Sequence, residues 1–262
     1  MEFSVLTIFP DMFHGLWNYG MVGRAIERKL ISASAIDVRD FTGDKHRTTD
    51  DRPYGGGCGM VMKPEPLARA IDSARQKSPA SAVLLLTPQG RPFNQEMARS
   101  FAGEDGFIMV CGRYEGVDER ICYDLVDHEV SIGDYILTGG ELAAMIVIEA
   151  VTRLVPGVLG GEDSAALDSF TGELLEHAHF TRPPDFEGQP VPDVLLSGNH
   201  REIEKWRFES SMVRTFLKRP DLLENRDLSQ QEVDLLKEWC SRIESIVQAQ
   251  SARGTDSSSG GE

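Results

Sequence analysis

Three short glycine-bearing stretches carry the residue types needed to hold a nucleotide-like ligand: Thr87-Pro-Gln-Gly90, Gly112-Arg-Tyr-Glu-Gly116 and Ile132-Gly-Asp-Tyr-Ile-Leu-Thr-Gly-Gly140. Each follows an apolar, strand-like run, Ala82 to Leu86, Phe107 to Val110 and Leu125 to Val130. In an open α/β sheet, ligands bind outside the carboxyl ends of the strands, so three such loops in series sketch one pocket. Ordinary βα turns are the plainer alternative, because glycine serves both. The third loop favours the pocket: Ile132, Tyr135, Ile136 and Leu137 put apolar walls among glycines, which suits backbone hydrogen bonds to a purine edge. The two commonest nucleotide fingerprints, GxGxxG after the first strand and GxxxxGK[ST], are both missing from the sequence.

Other chemically able residues carry less by themselves. Arg153, near the end of a helical pattern, could be a solvated arginine favoured by the helix macrodipole. Asp168 could be a linker charge or a helix cap, with Glu162 and Asp163 equally available. His177 and His179 stand two apart but have no evident third metal ligand, so a loop pair is the simpler reading. The Gly55 to Gly59 run could cradle a phosphate. Cys58, Cys111, Cys122 and Cys240 form no CxxC pair, which argues against a disulfide framework or a thiolate zinc site.

The elements that must position these residues can be read from periodicity. Strand-like runs at Glu2 to Phe9, Ala35 to Val38, Ala82 to Leu86, Phe107 to Val110 and Leu125 to Val130 alternate with helical patterns. The helical patterns cover Gly20 to Leu30, Pro64 to Lys77, Asn94 to Phe101, Asp118 to Tyr123 and Gly140 to Leu154. Such alternation predicts an α/β fold with a mostly parallel sheet, over a first domain of residues 1–158. Residues 159–169 are small, acidic and aperiodic, and read as a flexible interdomain linker that stays poorly ordered until its partner arrives. Beyond a Pro-rich loop, His200 to Leu217 and Ser229 to Gln248 are long helical patterns, the second with Glu232 in capping-box register to Ser229. They predict a small helical domain over 170–249, and the low-complexity tail 250–262 reads as disordered.

Composition narrows the function. With 262 residues, 40% hydrophobic and 26% charged, the chain suits two modest globular domains. Its longest apolar stretch, Leu142 to Val151, contains Glu149 and is well short of the roughly 18–20 residues a membrane span needs. The N-terminus has an acid at Glu2 and neither a basic region nor a cleavage site, so a cytoplasmic location is expected. A net charge of −15 weighs against a nucleic-acid partner overall. A local basic stretch survives within it: Arg201, Lys205, Arg207, Arg214, Lys218 and Arg219 stand against Glu202, Glu204 and Glu209. Phosphate contact is expected of Arg201, Lys205, Arg207 and Arg214, and core packing of the interleaved Trp206 and Phe208.

Longer strings then become recognisable. Asp50-Asp-Arg-Pro-Tyr-Gly-Gly-Gly-Cys-Gly-Met60, Gly112-Arg-Tyr-Glu-Gly-Val-Asp-Glu-Arg120, Ser131-Ile-Gly-Asp-Tyr-Ile-Leu-Thr-Gly-Gly-Glu-Leu142 and Arg153-Leu-Val-Pro-Gly-Val158 are four of them. Asp168-Ser-Phe170, His179-Phe-Thr-Arg-Pro183 and Leu196-Ser-Gly-Asn-His200 complete the series. Together and in this order they resemble the bacterial tRNA (guanine-N1)-methyltransferases of the SPOUT class, from about Phe3 to about Leu223. The resemblance implies a deep trefoil knot made by the three loops, a rare exception to unknotted folding. It implies a homodimer whose active sites are shared between subunits, and methylation of the guanosine at position 37 of tRNA, 3′ to the anticodon. S-adenosyl-L-methionine would lie against Thr87, Pro88, Gln89, Gly112, Tyr114, Glu115, Ser131, Ile132, Gly133, Asp134, Tyr135, Ile136, Leu137, Gly139 and Gly140, mainly through backbone groups.

By the same resemblance Asp168 is the general base for the N1 proton and Arg153 the assisting arginine, and the Gly55 to Gly59 run lies near the active site. A Mg²⁺ requirement is also implied, for which the sequence offers no recognisable ligand set, so the ion would ride on substrate or cofactor. A related enzyme with another RNA target is disfavoured by the Asp168 and His179 to Pro183 strings. A non-enzymatic RNA-binding module is disfavoured because Asp168, Arg153 and the 132–137 loop are all present.

Overall fold

The structure, a computed structural model, describes residues 1–160, 168–170 and 174–256, with side chains as far as residue 249. The chain divides into two compact units, Met1–Ala165 and Ala166–Glu262.

The first unit is an α/β layer structure. Its sheet contains β1 (Glu2–Thr7), β2 (Ser32–Asp37), β3 (Ala82–Pro92), β4 (Gly106–Cys111) and β5 (His128–Ser131). The strands lie in the order β2-β1-β4-β3-β5, and every neighbouring pair is parallel. Around it pack α1 (Gly20–Glu27), α2 (Pro64–Lys77), α3 (Gln95–Ala102), α4 (Glu119–Leu125) and α5 (Glu141–Thr152). A parallel sheet covered on both faces needs strands apolar throughout, because successive side chains point to opposite faces. The central strands β3 and β4 satisfy this where they pair: Phe107, Met109 and Cys111 of β4 join one core with Leu84, Leu86 and α5 residues such as Val147. Ile108 and Val110 join the other core, with Val83, Leu85 and the α2 residues Leu67 and Ile71. All six residues of β4 are buried, which makes it the anchor of the unit.

Several element ends differ from the periodic pattern for identifiable reasons. The α2 bounds agree, with Pro64 in the first turn, where a missing N–H costs nothing. The Gly20 to Leu30 pattern stops at Glu27, because Lys29 turns the chain in the left-handed region at φ 58°. Leu125 belongs to α4 rather than to the following strand. Strand β5 begins only after Asp127, whose carboxylate accepts the Val83 N–H at 2.7 Å. The run at Ala82 does not stop at Leu86 either, since β3 continues to Pro92. Leu86 and Arg91 both pair with Val130, so Thr87–Gly90 is looped out of a continuing strand rather than following a finished one.

The second unit is held by helices α6 (His200–Lys218) and α7 (Gln230–Asp256). Asn199 caps α6 by accepting the Glu202 N–H. At the start of α7, Ser229 and Glu232 form the expected reciprocal capping box, with Ser229 N–H donating to Glu232 at 2.8 Å and Glu232 N–H to Ser229 Oγ at 3.3 Å. The core is small: Met212, Leu223 and Leu235 are buried, with Phe208, Leu228, Leu236 and Trp239 packed against them. Helix α7 runs to Asp256, past Gln248, so residues 250–256 of the tail expected to be disordered are helical. Residues 257–262 lie outside the described residues. So do 161–167, most of the expected linker. Its last residue, Ser169, is tied into the second unit, its Oγ accepting the Glu176 N–H at 3.0 Å.

Candidate functional site

The three glycine-bearing loops come together in the first unit around one cavity of about 370 Å³. That size falls within the roughly 300–1,000 Å³ of small-molecule sites. Of the cofactor residues expected from the sequence, all line it except Asp134, which is exposed. Sequence reasoning missed Leu86, Arg113, Thr138 and Ala143, which also line the cavity. The signal available for Arg113 and Thr138 was their place inside the loops themselves.

Glycine is demanded at specific points of this construction. A Cβ on Gly90 would stand 2.3 Å from the Val130 nitrogen, so only glycine lets the looped-out chain rejoin β5. A Cβ on Gly140 would stand 2.9 Å from Cys111 Cα. There the Gly140 N–H donates to the Gly112 carbonyl at 2.9 Å, drawing the third loop onto the second. The second loop turns tightly, Gly116 N–H donating to the Arg113 carbonyl, and Tyr114 takes φ 59°. A bulky residue held in the left-handed region costs about 1–3 kcal/mol and marks a functional loop more often than a neutral one. Tyr135 folds over Gly133 and its hydroxyl donates to the Ile132 carbonyl at 3.2 Å.

The end of the Gly55 to Gly59 run approaches the second loop of this cavity. Gly59 leaves no room for a Cβ against the Glu115 carboxylate, and Glu115 N–H donates to the Met60 carbonyl at 3.0 Å. Beneath the loops, Glu141 is buried and accepts from Thr7 Oγ1 at 2.8 Å and from Arg113 Nε at 3.1 Å. Burial, then the nearby Glu141, pushes the Cys111 thiol well up. Burial and the carboxylates of Glu119 and Glu129 push Cys122 up too, so both thiols stay protonated and unreactive near neutrality.

Arg153 sits in the first unit as the C-cap of α5, its N–H donating to the Glu149 carbonyl. Asp168 lies in the second unit and is half-buried. Of the expected RNA-contacting residues, Arg201 is exposed on α6, Lys205 pairs with Glu209 at 3.8 Å and Arg207 with Glu204 at 2.7 Å. Arg214 Nε donates to the Glu176 carbonyl at 3.0 Å, which holds the irregular segment before α6 in place. Phe208 packs in the core as expected, whereas Trp206 lies against the His177 and Phe180 rings. His179 pairs with Glu176 at 2.9 Å. Among the described residues no group of three or more His, Cys, Asp or Glu is arranged to hold a metal ion, and no helix is long and apolar enough to cross a membrane.

Comparison with known proteins agrees with this construction. Residues 1–225 match the family described as tRNA (Guanine-1)-methyltransferase TrmD. The tRNA (guanine-N(1)-)-methyltransferase of Desulfatibacillum aliphaticivorans is 53% identical over 256 residues, 98% of each chain. Its namesake in Syntrophotalea carbinolica is 57% identical over 238 residues, 91% of this chain and 96% of the relative. That of Anoxybacillus flavithermus is 52% identical over 240 residues, 91% and 98%. With the family match spanning most of its length, the chain belongs to the tRNA (guanine-1)-methyltransferase family.

Proposed function

We propose that this protein transfers a methyl group from S-adenosyl-L-methionine to N1 of guanosine at position 37 of tRNA, on the 3′ side of the anticodon. The observation that carries the reading is the single cavity shared by all three loops. Its walls fit the cofactor: Leu86, Ile132, Ile136 and Leu137 offer apolar surface, and closely set glycines expose backbone donors and acceptors. When bound, the cofactor supplies an electrophilic sulfonium methyl. The deep trefoil knot implied by the resemblance is the arrangement we assign to these loops.

The protein's own task is to make a poor nucleophile competent. Neutral guanine N1 carries a proton, and we assign its removal to the Asp168 carboxylate. An ordinary aspartate, with a pKa of about 3.9, is a weak base for a lactam proton. Negative charge growing on O6 must therefore be stabilised, and we assign that to the Arg153 guanidinium, whose planar donors suit an oxyanion. The Mg²⁺ implied by the resemblance finds no ligand set among the described residues, and no step above uses it.

The same reading takes residues 1–158 as the methyl-transfer domain, 159–169 as the linker and 170–249 as the tRNA-binding domain, with Arg201, Lys205, Arg207 and Arg214 toward phosphates. It takes the protein as a cytoplasmic homodimer that shares its active sites. The exposed apolar Leu142 and Ile146, one helical turn apart on α5, support a partner subunit there. The test is transfer of labelled methyl to two tRNA transcripts, one with guanosine and one with adenosine at position 37. Labelling of the guanosine transcript alone is expected; labelling of both or of neither overturns the assignment.

A further inference from the structure

Glu141 and Arg113 form an ion pair to which the proposed methyl-transfer chemistry gives no role. Arg113 Nε donates to both Glu141 oxygens, at 3.3 and 3.1 Å, and the Glu141 residue is only 1% exposed. Glu141 also receives the buried Thr7 hydroxyl at 2.8 Å, and Thr7 Oγ1 in turn accepts the Phe9 N–H at 3.0 Å. The guanidinium lies over the Phe9 ring at 4.4 Å. One carboxylate thus joins the end of β1 to the second loop from its own place immediately after the third. Backbone pairing of Arg113 with Gly139 closes the same seam, and a Cβ on Gly139 would stand 2.3 Å from Arg113 Nε and 2.5 Å from Glu141 Oε2.

Burying such a pair is a poor way to gain stability, since apolar groups of similar volume often do as well or better. Its benefit is definition of position. We propose that Glu141 is a positioning residue: by fixing Arg113 it holds the 112–116 loop against the 132–140 loop at the separation the cavity requires. Both Arg113 and Gly139 line that cavity, so a slip of the pair changes its shape directly. The inference rests on reading the cavity as the S-adenosylmethionine site.

The competing role for Glu141 is an acid in the first turn of α5, favoured by the helix dipole. Glu141→Asp separates the two. It keeps an acid at the helix start but is one methylene too short to meet Thr7 and Arg113 together. A misplacement of about 1 Å can cost about 100-fold, so Glu141→Asp and Arg113→Lys should each raise the S-adenosylmethionine Kd and KM by roughly 10- to 100-fold. The KM for tRNA should stay within about twofold. The paired variant Arg113→Met with Glu141→Met should recover thermal stability without recovering cofactor affinity. Calorimetric titration of the purified protein with S-adenosylmethionine, alongside steady-state kinetics, reads all of this. Cofactor affinity within about twofold of wild type in Glu141→Asp and Arg113→Lys overturns the inference, as does an equal rise in both KM values. If Glu141→Asp does not fold, Arg113→Lys decides alone. Absence of binding by the wild-type protein would instead overturn the reading of the cavity.

Discussion

The two units fix their irregular segments in opposite ways. The cavity loops of the first unit leave strands that contribute to cores on both faces of the sheet, and closely set glycines bring backbone groups to the cavity. Backbone can be aimed only by fixing the chain itself, so these loops must be anchored in a deep core and spaced by glycines with no room for a side chain. Among its described residues the second unit has a small apolar core of Met212, Leu223 and Leu235, and it secures its irregular segment with side chains of α6. Ser210, Arg214 and Thr215 bond the backbone of Ala178, Glu176 and Leu175. Under the proposed function this unit meets a long anionic partner, which needs cations outward more than it needs Å-scale placement. Precision is therefore concentrated in the first unit, and damage should have different consequences in the two.

The sharpest test is Asp168→Asn. Loss of a general base costs about 100- to 10,000-fold in rate, so methyl transfer should fall by that range while the S-adenosylmethionine Kd is unchanged. A rise in Kd matching the fall in rate would remove Asp168 from its assigned role. The cores come next. Met109→Ala in the fully buried β4 should destabilise the first unit by about 2–5 kcal/mol, read as a lower denaturation midpoint that cofactor partly restores. Met212→Ala is an equivalent change in the small core of the second unit, and its loss should not be restored by cofactor. A smaller effect is expected of Gly140→Ala, whose new methyl must displace Cys111 or Leu86. Overpacking of about 1–3 kcal/mol should appear mainly as weakened cofactor binding.

Where the sequence was legible, one period governed one element. The sheet followed from apolar runs, α2 from a clean helical pattern with Pro64 at its start, and the capping box from Ser229 and Glu232. The loops could be recognised as a site because glycines and apolar residues seldom alternate in solvated turns. What could not be read depends on contacts distant in the chain. Thr87 to Gly90 looked like a loop because nothing in its residues says that the strand resumes at Arg91 and pairs with Val130 a second time. Glu141 looked like the first residue of a helix, and only the fold brings Thr7 and Arg113 to it. Arg214 read as a free cation on a basic face, although its Nε serves the Glu176 carbonyl.

The mildest prediction concerns the polar fixing of the second unit. Glu232 is nearly buried, and the Arg226 guanidinium, at 2.6 and 3.1 Å, holds its carboxyl below the ordinary glutamate range, with Ser229 adding to the effect against the opposing cost of burial. A carboxylate depressed in the folded state stabilises fully above its unfolded pKa of about 4.5, and that contribution is lost as pH falls from there through the lower folded value. Glu232→Gln keeps an acceptor for the cap but removes the charge, and should cost about 1–2 kcal/mol near neutrality. Because Trp239 packs on the same core, its fluorescence in urea titrations can follow the transition. The gap between variant and wild type should be widest at pH 7 and should shrink as pH drops below about 4.5. A gap that stays constant down to pH 3 would mean that the pair with Arg226 contributes no charge-dependent stability, leaving the capping hydrogen bonds as the whole of Glu232's role.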